Sequence, residues 1–156
     1  MSLLKSILRW RDERHLLAQL QFGLEEIDAK FIERVKKEKL QRGSDAWRDA
    51  YFDYDSHRQL WEADIDQLQT QRYVRRAKAW EVPIPPHPVP APDSPVCDDE
   101  FWSWSQPHGR YYLTYKAQAV LRRDIYAEIE MRYKPWLAWM AITFSALSLI
   151  IALIRL

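Results

Sequence analysis

The segment Lys134–Leu156, KPWLAWMAITFSALSLIIALIRL, constrains what this chain can fold into more than any other. From Trp136 to Ile154, nineteen residues carry no formal charge, and only Thr143, Ser145 and Ser148 are polar. At about 1.5 Å per helical residue they span roughly 28 Å, close to the ~30 Å hydrocarbon thickness of a bilayer. Trp136 and Trp139 stand at one end, where amphipathic rings prefer the interface, and Lys134 and Arg155 flank the stretch, where their stems carry charge to the headgroups. A helix apolar all round is otherwise a core helix, and that needs a large surrounding protein. A chain of 156 residues with a mean hydropathy of −0.47 offers none. The expectation is one transmembrane helix over 135–156.

Orientation follows from the basic residues near the span. Lys116, Arg122, Arg123, Arg132 and Lys134 precede it and Arg155 follows it, so the large domain is expected on the cytoplasmic side. The opening MSLLKSILRW is interrupted by Lys5 and Arg9 and lacks a small-residue cleavage site, which argues against a secretory signal. With two residues after the span, the arrangement reads as a tail anchor.

The formal net charge of +1 gives no bulk-charge case for nucleic-acid binding. A single cysteine, Cys97, excludes an internal disulfide and fits a reducing compartment. Glycine occurs at 23, 43 and 109 alone, so there is no Gly-rich phosphate loop.

Before the span the pattern is mainly α. Leu3, Trp10, Leu17, Leu20, Leu24, Ile27, Phe31 and Val35 recur at mostly three-four spacing, which predicts one long helix to about Gln41. Gly43 suits its left-handed cap, and Ser44 or Asp45 suits the start of a second helix running to about Trp80. Trp47, Tyr51, Tyr54, Trp61, Ile65 and Leu68 line its expected inner face. The short connection makes 1–81 an antiparallel, coiled-coil-like helical hairpin, a rod of roughly 50 to 60 Å. Prolines 83, 85, 86, 88, 90, 92 and 95 then impose an extended linker over 82–97. Over 98–134 the sequence FWSWSQPHGRYYLT reads either as a small β-hairpin turning at Pro107 and Gly109 or as an aromatic loop. Thr114 caps a membrane-proximal helix to about Tyr133, with Val120, Leu121, Ile125 and Ile129 as its apolar side. Pro135 falls where that helix meets the span, as a first-turn residue or a kink.

Chemistry-bearing patterns are sparse. His87, Cys97, Asp98, Asp99 and His108 lack the paired tight spacing that zinc requires, and a solvated acidic turn beside a lone thiol is expected. His15, His57, His87 and His108 are dispersed, with no Ser or Cys motif beside them, so no catalytic residues, cofactor or small-molecule substrate are expected. Three features point to partners instead. Ala138, Ala141, Ser145, Ser148 and Ala152 form a small-residue stripe that suits helix association in lipid. Pro83 and Pro86 form a PxxP, which together with Trp102 and Trp104 is a candidate for partner binding. The opening Leu3, Leu4, Ile7, Leu8 and Trp10, set among Lys5, Arg9 and Arg11, either lies on anionic lipid or packs on another helix.

Two resemblances attach to these motifs. RYYLTYKAQAVLR, Arg110–Arg122, resembles the last strand and following helix of winged-helix regulators, with Ala117 where those commonly carry Gly. That implies a membrane-tethered DNA-binding regulator, although prolines occupy the place of its recognition helix. The whole order of hairpin, WEVPIPP linker at Trp80–Pro86, YLT, an Arg-rich helix ending in EIEMR at Glu128–Arg132 and one span resembles uncharacterised bacterial single-span inner-membrane proteins. That likeness implies a bacterial inner-membrane location and no activity. The expectation is a non-catalytic, tail-anchored scaffold or accessory subunit whose partners are the bilayer and either another protein or further copies of itself. The DNA-binding regulator is the first alternative and an enzyme of unknown class the second.

Overall fold

The computed structural model describes residues 3–88 and 98–154, with all side chains among them except those of residues 3, 4, 6 and 149–154. Three long helices and one two-stranded sheet make up the molecule: α1 Leu3–Lys37, α2 Asp45–Ala79, β1 Trp102–Ser105, β2 Arg110–Leu113 and α3 Tyr115–Ile154. At about 1.5 Å per residue, α1 and α2 are each ~52 Å long and α3 is ~60 Å.

The predicted antiparallel helical pair is present. Ser44 is its second start, in extended backbone, with its hydroxyl accepting from the Trp47 N–H at 3.2 Å. The stop of α1 differs from expectation. It ends at Lys37, and its left-handed residue is Lys39 (φ 49°), not Gly43, which lies further on in the turn at φ 93°. Leu40 N–H donates to the Val35 carbonyl and Lys39 N–H to that of Lys36, a Schellman closure built without glycine. The end of α2 repeats this arrangement: Val82 N–H donates to Ala77, Glu81 N–H to Lys78, and Glu81 holds φ 58°.

Along the rod the seam is aromatic and polar by turns. Phe31 stacks on Tyr54 with centroids 4.3 Å apart, and Trp47 stacks on Tyr51 at 5.0 Å. The Tyr54 hydroxyl donates to Asp28 at 2.8 Å, and Arg58 reaches the same carboxylate at 3.0 Å while also donating to Glu62. Burial raises the Tyr54 pKa. Midway, Gly23 makes a notch: a Cβ there would sit 2.1 Å from Trp61 Cζ3, so the indole lies directly on the α1 backbone.

The lower half of α2 carries the core. Ala63, Thr70 and Ala77 repeat every seven residues on one face and are all buried. Small side chains there let the sheet and α3 come close. Ala77 joins Val82, Trp102, Tyr111, Leu113, Ala117, Leu121 and Ile125 in one cluster, with Val74, Trp80, Ile84 and Ile129 against it. The segment after α2 therefore packs: Val82 and Ile84 point into the core while Pro83 and Pro86 are exposed.

The aromatic stretch forms strands. Trp102 pairs with Leu113 and Trp104 with Tyr111, so these four share the core-facing side. Side chains take up three outward N–H groups of the sheet, of the kind that invite mispairing when left open. Asp99 accepts from Trp102 N–H at 2.7 Å and Asp98 from Trp104 N–H at 2.6 Å, while Leu113 N–H donates to the buried Thr70 hydroxyl at 2.9 Å. Thr114 caps α3 by accepting from Ala117 N–H at 3.2 Å. Pro135 lies inside α3, which runs unbroken from the core into the apolar segment.

Two substitutions probe these features. Gly23→Ala removes a helix-interior glycine, worth ~1 kcal/mol of propensity, yet forces the Trp61 ring out of its notch. It is expected to destabilise the hairpin by about 1–3 kcal/mol net, read as a lower melting temperature. Glu81→Gly relieves a left-handed side chain and is expected to stabilise by about 1 kcal/mol, read as a raised denaturation midpoint at unchanged slope.

Candidate functional site

Two surfaces stand out, and they differ in kind. The first is the far half of α3. Each described side chain from Glu130 to Ser148 is exposed, including Trp136 at 68%, Leu137 at 64%, Trp139 at 68% and Phe144 at 63%. No other described part of the chain covers these residues. The helix that buries Ala117, Leu121 and Ile125 at one end is thus bare at the other.

Among the described residues, no helix is long and apolar enough to cross a membrane. Described side chains in the apolar stretch end at Ser148, while the backbone of α3 continues to Ile154.

On this half, the stripe residues Ala138, Ala141, Ser145 and Ser148 are exposed together, and the Ala152 side chain lies outside those described. Ser145 donates to the Ala141 carbonyl at 2.9 Å and Ser148 to that of Phe144 at 2.8 Å, so both hydroxyls are satisfied within their own helix. Of the residues expected to anchor at an interface, Trp136 and Trp139 are exposed, Lys134 pairs with Glu130 at 3.5 Å, and Arg155 lies outside the described residues.

The second surface is a polar cleft of about 430 Å³ between α2, the outer side of the sheet and the start of α3. Glu62, Asp66, Gln69, Ser103, Ser105 and Gln118 line it, and no Lys or Arg does. Gln118 is buried and donates to the Leu113 carbonyl at 3.0 Å. At its rim His108 bridges Tyr112, 2.6 Å from the hydroxyl, and Asp64 at 3.3 Å, and burial raises the Tyr112 pKa. Desolvation, with Glu62 adding like charge, raises the Asp66 pKa. Chemically the cleft accepts hydrogen bonds and holds negative charge. Among the described residues no Ser, Thr or Cys side chain bonds a histidine, and no group of three His, Cys, Asp or Glu is placed to hold a metal ion.

Of the remaining sequence candidates, Trp102 is 5% exposed, taken up by the core, with its indole N–H meeting no acceptor. Trp104 is half-buried, edge-on to Tyr111 at 5.0 Å, and Pro83 and Pro86 face solvent. Cys97 lies outside the described residues. The cleft went unforeseen because its lining comes from three elements far apart in sequence. The nearest local signal was the face of α2 on which Ala63 and Thr70 alternate with Asp66.

No protein-family model, curated protein or solved structure matches this chain.

Asp66 gives a pH-dependent prediction. Its carboxyl is held above the usual range in the folded state, so the native protein binds the proton more tightly than the unfolded chain does. Its contribution favours folding below the unfolded carboxylate range and is lost as pH rises through the folded value. Asp66→Asn is therefore expected to raise the melting temperature at pH 7 and to leave it unchanged near pH 3.

Proposed function

We propose that this protein is a non-catalytic membrane-anchored scaffold, in which the apolar half of α3 sits in a bilayer and the α1–α2 rod is held out for a protein partner. The observation that carries this reading is the bare run Glu130–Ser148 on a helix whose other half is packed into the core. In water, an uncovered stretch bearing Trp136, Leu137, Trp139, Ile142, Phe144 and Leu147 is costly, at ~25 cal/mol per Å² of apolar area. Lipid removes that cost, and the sequence continues the stretch without charge through Ile154. A helix is also the form in which a single segment satisfies its own backbone in hydrocarbon.

The basic residues of α3 ahead of the stretch favour a cytoplasmic side for the head. Because α3 is one helix from Tyr115 onward, the anchor and the head form one lever. The rod's orientation is then set by the core, not by a loose tether.

The test uses the full chain in bacterial membranes. It should remain with the membrane through alkaline carbonate and urea washes and leave it in detergent. Ile142→Arg/Leu147→Arg, at about 2.5–3.5 kcal/mol per mid-span arginine, should shift it to the soluble or aggregated fraction. A wild-type chain recovered as a monodisperse protein after the carbonate wash would refute the anchor.

A further inference from the structure

The end of the head nearest the apolar segment differs in charge from the rest of the chain. Three stretches meet there. Arg75 pairs with Glu13, tying the start of α1 to the end of α2, and Arg122 donates to the Tyr73 hydroxyl at 2.7 Å, tying in α3. Trp80 then lies 6.2 Å from the Tyr133 ring, with the Arg132 guanidinium 5.5 Å from its own ring centre. Residues 1–16, 71–82 and 119–134 together hold twelve Lys and Arg against six Asp and Glu. All other residues hold eleven against sixteen. The molecule is a charge dipole with its positive end at the anchor.

Several of these cations are available to a ligand. Lys5, Arg14, Arg72, Arg76 and Lys78 meet no carboxylate within ion-pair distance among the described residues, and Lys5, Arg14 and Lys78 are exposed. The apolar side chains at this end are also uncovered. Ile7 is 55% and Trp10 50% exposed, and Leu8 is exposed as well. By antiparallel register the Glu13–Arg75 pairing puts Trp80 level with the region of Leu8, and Trp80 in turn meets Tyr133 of α3.

We infer that this end of the head is a second membrane contact, with the cationic collar and Ile7, Leu8 and Trp10 seated on anionic phospholipid headgroups. The inference rests on the anchor proposed above. Charge complementarity selects the occupant: a surface with a net excess of six cations, carrying apolar side chains between them, matches an anionic interface and repels a basic protein. The part of the collar around Arg132 and Trp80 lies within about a screening length of the headgroups if α3 enters lipid near Lys134. Its contacts would fix the tilt of the rod.

The full chain carrying Cys97→Ser and Leu8→Cys is labelled with an environment-sensitive fluorophore. It is then reconstituted into phosphatidylcholine vesicles with or without phosphatidylglycerol. Blue-shifted emission is expected with phosphatidylglycerol only. It should be lost in about 1 M salt, where the screening length falls to ~3 Å, and also in Lys5→Glu/Arg14→Glu/Lys78→Glu of unchanged helicity. Emission that is the same in both vesicles, from a chain that floats with them at alkaline pH, overturns the collar and leaves the anchor standing. A chain that floats with neither overturns both.

Discussion

The close approach of α2 to the sheet and α3 along Ala63, Thr70 and Ala77 is the constraint on which the rest depends. A two-stranded sheet is marginal in water by itself. Here it survives because Thr70 presents a hydroxyl to Leu113 N–H, and small neighbours above and below leave room for the strand to reach it. The next residue, Thr114, is the cap of α3, so the same contact fixes where that helix begins. Gln118 returns one turn later to take the Leu113 carbonyl, satisfying both backbone groups of a buried residue. A larger side chain at 63 or 77 would lift the sheet from α2 and misdirect α3 along its whole length.

The rod above this seam is held differently. Most of its ion pairs, such as Lys30–Glu26 and Arg34–Glu38, are exposed and contribute little individually. Its specificity comes from shape: the Trp61 indole against Gly23, the Phe31–Tyr54 stack, and the partly shielded Asp28–Tyr54–Arg58 group. A partly shielded network of this kind fixes register more than it adds stability, since each partner gives up some water to enter it. The outcome is a hairpin of defined pairing.

Much of this was legible in the sequence, and the parts that were not share a cause. Three-four spacing marked both rod helices because one stripe of each is covered. The caps at Ser44 and Thr114, and the turn at Pro107–Gly109, were visible because those residues act on their own neighbours. The stop of α1 was misread because glycine is the usual left-handed residue, whereas here Lys39 and Glu81 take that conformation. Asp98 and Asp99 read as a solvated turn, yet they close the β1 edge. Val82 and Ile84 looked like spacer, yet they dock. Each of these depends on where a distant element arrives, which local pattern does not encode. The polar cleft is the same case, with Asp66 and Gln118 brought together across some fifty positions.

Pro135 lies where α3 passes, as one helix, from the packed core into its apolar segment. Proline removes the N–H that would bond the Met131 carbonyl, and in hydrocarbon that orphaned acceptor would be costly. Met131 is 64% exposed, where water can supply a donor. One turn further along, the same proline would strand its carbonyl among Trp136, Leu137 and Trp139. One turn earlier, it would break the helix against Ile129, which packs on the core. The proline therefore falls between the part of α3 that packs on the core and the apolar segment.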